Sequence, residues 1–229
     1  MTLGSPRLHL RRTDSTNSRA RDLAARGAPH GMIVTAAEQT AGRGRQGRSW
    51  TAPAGRALLC TLVVREPPRL LPLAVGVAVA ETVGPGALLK WPNDVLIDGR
   101  KVAGILVEGR PQERWAVAGI GLNVAVRESD FSSELRGRAA TMGLEPSAVE
   151  PTLARLLAQL ERWLAAPTPD VLAAIRARDA LSGRPVEWAG GRGRADGVDD
   201  QGRLTVLLTG GERLALDAGE VHLAVQNAS

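Results

Sequence analysis

The sequence predicts an α+β protein: a mixed, largely antiparallel sheet flanked by helices, followed by a small all-β unit. Three features carry this. Two apolar runs, residues 95–97 and 102–108, are separated by Asp98-Gly99, and Asp-Gly supplies the positive φ that a tight hairpin turn needs. Helical spacing at residues 70–83 and 148–165 lies between strands without alternating regularly with them, which disfavours a doubly wound sheet. After Gly183 the texture changes to short β runs separated by Gly- and Asp-rich turns.

In chain order, alternation at residues 7–10 predicts a short strand, and Ser15-Thr16 open an Ala- and Arg-rich helix that Gly27 closes, with the hydroxyls capping free amides. A strand follows at 32–37. Residues 42–56 have no apolar period and four glycines, so they read as a mobile loop. Strand returns at 57–64, helix at 70–83, strand at 87–91, then the hairpin and a further strand at 114–124. Helices are expected at 148–165 and 170–181, the helices lying on one side of the sheet. The terminal β runs are 186–188, 204–208, 213–216 and 221–225.

The chain of 229 residues is long enough for one sizeable core plus a satellite, and its single Cys rules out an intrachain disulfide. No apolar stretch is long enough for a membrane span, and the first residues lack a signal-like apolar core, so the expected location is the cytoplasm. The net charge of +5 is local: residues 1–60 carry ten Arg against three acids, and the rest is slightly acidic. Arg is abundant throughout, whereas Lys90 and Lys101 are the only lysines. Those two therefore stand out against the composition.

Four motifs carry chemistry. In Gly42-Arg43-Gly44-Arg45-Gln46-Gly47-Arg48-Ser49-Trp50, glycines let backbone amides approach an anion, arginines offer forked donors for carboxylate or phosphate, and Trp50 can cover a flat ring. The same stretch also reads as a solvated Arg-Gly tract. Lys90-Trp91-Pro92-Asn93-Asp94 with Lys101 mounts a compact positive charge on a strand near Asn93 and Asp94, which can orient a ligand or hold Mg²⁺; ordinary turn chemistry is the alternative. Gly119-Ile120-Gly121-Leu122-Asn123 lacks the third glycine and following helix of a dinucleotide fingerprint, and glycines within a strand mark close approach. Asp14-Ser15-Thr16-Asn17 can present hydroxyls to a small polar ligand. His9, His30 and His222 show no metal-ligand spacing, and Cys60 reads as a core residue.

Taken in order, DSTN, EQTAGRGRQGRSW, KWPNDVLIDGRKVAGILVE and GIGLNV resemble the catalytic domain of biotin protein ligases over roughly residues 8–127, and the tail resembles that family's SH3-like domain. The resemblance implies a class II synthetase-like catalytic domain over residues 1–181 and a small SH3-like β-barrel over 182–229; being too small for a catalytic site of its own and without lysine, the barrel is expected to help dock ATP or the carrier. It implies formation of biotinyl-5′-AMP from biotin and ATP with Mg²⁺, then transfer to a lysine of a biotin carboxyl carrier domain of an acyl-CoA carboxylase. By motif, Ser15, Thr16 and Gln39 bind the ureido ring, while Gly42, Arg43 and Gly104 close on biotin. Lys101 and Arg45 are the expected catalytic groups, facing carboxylate and phosphate together with Arg48. Trp50 orders the loop over the adenylate, and Asn93, Asp94 and Asn123 lie near ATP and Mg²⁺. Gln46 stands where many relatives carry Arg.

Because the chain begins directly with the catalytic motifs, the resemblance points to a monofunctional type without an N-terminal DNA-binding domain and without specific DNA as partner. Monomer and homodimer both remain open. A lipoate–protein ligase of the same fold is the nearest rival, but is not expected to carry the GRGRQGRSW and KWPND pair. A basic RNA-binding protein would want aromatic stacking platforms, and aromatics total 3%.

Overall fold

The computed structural model describes residues 3–217, 219 and 221–223. Among these, strands form a seven-stranded sheet in the order β1-β2-β3-β7-β6-β5-β4 and a five-stranded sheet in the order β11-β10-β9-β8-β12. In the first, β1 (Arg7–Leu10) runs parallel to β2 (Ile33–Ala36). All other neighbours are antiparallel: β3 (Ala57–Arg65), β7 (Trp115–Asn123), β6 (Arg100–Arg110), β5 (Asp94–Ile97) and β4 (Leu88–Lys90). The sheet is therefore mixed and largely antiparallel. Asp98 and Gly99 both have positive φ, 50° and 73°, as the β5–β6 hairpin turn demands.

The two faces of this sheet have different duties, and β3 shows how the period of two divides them. Leu58, Cys60, Leu62 and Val64 point into the main core with α2 (Leu71–Val83), α3 (Val149–Leu164) and α4 (Thr168–Arg176). Val63 packs on the opposite face under Ala20 and Ala24 of α1 (Thr16–Ala25). Helices therefore cover both faces, and the expectation that they lie on one side is corrected. On the second face α1 is joined by Val126, Phe131 and Ala139, which pack on Ala57 and Leu59, and the rest of that face has room for a ligand.

Two further boundaries differ from expectation for identifiable reasons. The helix expected to reach residue 181 ends at Arg176, because the following residues pair with the exposed edge of β4: Leu89 N donates to Arg178 O (2.8 Å) and Ala180 N to Leu89 O (2.9 Å). The pairing satisfies backbone groups of a sheet edge that a continued helix would leave open. The glycine- and arginine-rich stretch Gly191–Val198, expected as turn, is strand β9, paired on both sides by β8 (Pro185–Trp188) and β10 (Leu204–Leu207). A Cβ at Gly193 would lie 2.5 Å from Val206 Cγ1, so glycine is what permits the pairing.

The remaining strands are β11 (Arg213–Leu216) and β12 (His222–Leu223), which stand at the two edges of the small sheet; residues 224–225 of the expected last strand lie outside the described residues. Val186, Ala195, Val198, Leu204 and Val206 belong to the same apolar cluster as Leu71, Ile105 and Leu181. The β9–β10 turn is clamped onto the larger unit. Trp91 Nε1 donates to Gly202 O (3.0 Å), Arg69 bonds Asp200 O (2.8 Å) and Gln201, and Arg176 Nε donates to Val198 O (2.8 Å).

The continuous core predicts that the two sheets unfold as one cooperative unit. Leu204→Ala, at a fully buried position of the small sheet, is expected to cost about 3 kcal/mol and to lower one melting transition by about 10 °C. Calorimetry that resolves two transitions, with only one displaced, would show instead that the sheets unfold separately.

Candidate active site

The open part of the second sheet face forms a cleft. Its floor is bare backbone. Paired Gly104 and Gly121 sit side by side on β6 and β7, and Gly119 lies two residues before Gly121 on the same face. A Cβ on Gly121 would fall 2.5 Å from Trp50 Cε2, one on Gly104 3.2 Å from Trp50 Cζ3, and one on Gly119 inside the Asn17 carboxamide. These glycines are required by what lies above them.

At one end of the floor is a neutral polar cluster from the start of α1. Ser15, Thr16, Asn17 and Thr61 are all buried. Thr16 donates through N and Oγ1 to Gln39 Oε1 (2.7 and 3.0 Å), and Thr61 Oγ1 lies 2.8 Å from both Thr16 Oγ1 and Asn17 Oδ1. Ser15 is the N-cap residue, but its side chain makes no capping hydrogen bond. The capping expectation is corrected: Gln39 takes the Thr16 amide, and Ser15 lines the cleft.

At the other end the charges change. Lys101 is brought onto the glycine face by a bulge: Val95 pairs with Ala103 but Leu96 with Lys101, so one extra residue of β6, Val102, reverses the alternation. Its Nζ sits 2.6 Å from Asp94 Oδ1 and 5.8 Å from the Trp50 ring centroid, within cation–π range. Arg45 donates to Asn93 Oδ1 (3.3 Å), and the Asn93 amide is fixed by Ile105 O (3.0 Å). Lys90 and Arg48 also line this end. Burial lowers the Lys90 ammonium pKa, and the Lys101, Arg48 and Arg138 cations push the same way against Asp94. Among the lining residues Asp94 is the only carboxylate, so this end attracts anions.

The Gly42–Trp50 loop closes over the floor as an irregular hairpin. Gly44 N donates to Arg48 O (2.7 Å), Trp50 N to Gly42 O (2.9 Å), and Gln46 and Gly47 turn the tip with φ of 54° and 74°. Trp50 Nε1 is buried with no hydrogen-bond partner among the described residues.

Of the residues expected from the motifs, Ser15, Thr16, Gln39 and Gly104 line the cleft, as do Arg43, Arg45, Arg48 and Trp50 of the loop and Asn93, Asp94 and Lys101 at the cationic end. Gly42 and Asn123 are not in the lining. Gly42 is packed against the Trp50 backbone, and buried Asn123 donates to Ala140 O (2.9 Å). The close approach expected at Gly119 and Gly121 is made by Asn17 and Trp50, whereas Asn17 itself was given no role although it stood inside a quoted motif. Sequence reasoning missed Gly219 and Val221, which line the cleft from the small β unit without any motif to mark them.

The chain belongs to the biotin/lipoate A/B protein ligase family, whose model matches residues 9–124. A biotin–acetyl-CoA-carboxylase ligase of Mycobacterium tuberculosis is 37% identical, covering 92% of this chain and 86% of the relative. One from Paracoccus denitrificans is also 37% identical, over 93% of this chain and 98% of the relative. The solved biotin protein ligase of Aquifex aeolicus in complex with biotin and ATP superposes with a TM-score of 0.82 at 26% identity, covering 96% of this chain and all of that one.

The glycine floor generates a direct test. Gly121→Val is expected to displace the Trp50 indole and weaken substrate binding by at least about tenfold, while the far core face stays intact. Binding of biotin is measured by calorimetric titration; unchanged affinity would mean that the floor is not where the ligand lies.

Proposed function

We propose that the chain catalyses ATP-dependent activation of biotin to biotinyl-5′-adenylate and transfer of the biotinyl group to a lysine of a biotin carboxyl carrier domain. The observation that carries this reading is the polarity of the cleft: neutral donors and acceptors at one end, bare glycine backbone along the middle, and cations at the other. Biotin has a neutral ureido ring, an apolar body and an anionic carboxylate in that order. The relatives matched over nearly the whole chain support the same substrate and favour biotin over lipoate.

In the first step the biotin carboxylate oxygen attacks the α-phosphorus of ATP, and pyrophosphate leaves. Two anions must meet, so the barrier falls where cations are already aimed at the oxygens. Asp94 holds the Lys101 ammonium and Asn93 holds the Arg45 guanidinium, so neither must be reorganised as charge builds. Ser15, Thr16 and Gln39 orient the ureido ring, which fixes where the carboxylate arrives. In the second step the carrier lysine amine attacks the anhydride carbonyl, forming an amide, and AMP leaves. The anhydride is easily hydrolysed, so the loop carrying Trp50 is assigned to exclude water between the steps.

Mg²⁺ belongs with ATP. Among the described residues no group of three or more His, Cys, Asp or Glu side chains could hold an ion alone. Asp94 Oδ1 and Asn93 Oδ1, the oxygens expected to hold it, are already engaged by Lys101 and Arg45, so these two residues do not form an ion site, and neutralisation of phosphate charge from the protein falls to the cations. No described helix is long and apolar enough to cross a membrane. The reaction is assigned to the cytoplasm on the ground that ATP is available there.

Two outcomes test this reading. ATP-dependent labelling of a purified carrier domain is expected with biotin and not with lipoate; labelling with lipoate alone would overturn the substrate assignment. Lys101→Ala is expected to retain biotin binding and to lose adenylate formation by about 10²- to 10³-fold, measured by rapid quench. Turnover at the wild-type rate would remove Lys101 from the mechanism.

A further inference from the structure

We infer that Glu108 is a positioning residue that fastens the Gly42–Trp50 loop in its closed form by acting through Arg43. The bare-floor register continues along β6: Gly104, Leu106 and Glu108 share the cleft face, which puts the Glu108 carboxylate just beyond the neutral end. There it is 20% exposed and has three partners from two elements. Oε1 lies 3.1 Å from Arg43 Nη2 and 3.3 Å from Arg21 Nη1, and Oε2 accepts from Asn17 Nδ2 at 3.0 Å. Asn17 is itself immobilised, since Nδ2 also donates to Leu106 O (3.1 Å) and Oδ1 lies beside Thr61 Oγ1 (2.8 Å). The carboxylate is thus aimed before the loop arrives.

Arg43 stands at the start of the loop and bridges Ser49 across the hairpin. The closed loop is therefore held at three points, Trp50 on the glycines, Arg45 on Asn93 and Arg43 on Glu108. The partners of Glu108 also make the catch reversible. When Arg43 leaves, Arg21 and Asn17 remain on the carboxylate, so opening does not strand an uncompensated charge. A pair built this way adds to closure without locking it, as a loop that must admit substrate and later expose the adenylate requires.

The inference rests on the assignment of the cleft as the biotin and adenylate site. The test measures dissociation of biotinyl-5′-adenylate formed on the enzyme, together with protease cleavage after Arg43, Arg45 and Arg48 in loaded protein. Glu108→Gln is expected to speed dissociation about three- to tenfold and to restore cleavage, with the rate of adenylate formation unchanged. Arg21→Ala, which removes only the α1 partner, is expected to alter neither. The Glu108→Gln, Arg43→Gln double variant is expected to lose less than the sum of the two single losses, the remainder of the Arg43 effect coming from its own place in the cleft lining. Glu108→Asp, which keeps the charge but withdraws it from Arg43, carries the same expectation should Glu108→Gln not fold. Unchanged dissociation and protection in these variants, an equal effect of Arg21→Ala, or additive losses in the double variant would overturn the catch. Failure of the site assignment looks different: the wild-type loop itself would gain no protection from biotin and ATP.

Discussion

Gly104, Gly119 and Gly121 leave a strip of β6 and β7 without side chains, and the organisation of the site follows from that strip. Over one end of it α1 lowers Asn17 onto Gly119, and over the other the loop lowers the Trp50 indole onto Gly104 and Gly121. A single methyl at Gly119 or Gly121 would collide with these groups. The intervening residues on the same strands, Ala103, Ile105, Ala118, Ile120 and Leu122, point the other way into a dense core against α2 and α3. The sheet stays rigid because one face is fully packed, and it can host a ligand because the other is stripped.

Charge is then added at the end where a carboxylate and phosphates must meet. A β-bulge at Val102 turns Lys101 onto the glycine side, and Asp94 from the neighbouring strand holds it. Without the extra residue, Lys101 would share the face of Ala103 and Ile105, and a buried ammonium there would be costly. The small C-terminal sheet supports the same region from outside. Gly202 O accepts from the indole of Trp91, the residue between Lys90 and Pro92, while Gly219 and Val221 form part of the cleft wall. Lowering of the His222 pKa by burial and by the Lys90, Arg48 and Arg138 cations shows how close that sheet comes to the positive end.

Much of this architecture was legible in the sequence because local chemistry and global fold agree. Asp98-Gly99 marked the hairpin, apolar spacing marked α2 and α3, and the quoted motifs held most of the cleft lining. What stayed hidden depends on pairing between distant segments. Gly191–Val198 has the composition of a turn and becomes a strand only because β8 and β10 flank it. The last helix stops short because β4 needs an edge partner. The side of the sheet taken by α1, the bulge that redirects Lys101, and the convergence of Arg21, Arg43 and Asn17 on Glu108 have no periodic signature in a single chain. Ser15 illustrates the opposite error, a hydroxyl at a helix start whose capping duty is taken by Gln39 from elsewhere in the fold.

The central claim is that the neutral and cationic ends of one cleft join biotin to the α-phosphate of ATP. The most direct test is exchange of labelled pyrophosphate into ATP by the purified full chain, with and without biotin. The account predicts rapid exchange only when biotin is present, because pyrophosphate returns to ATP only through the biotinyl adenylate. Exchange that proceeds equally without biotin, or none with it in protein shown to be folded, would contradict it.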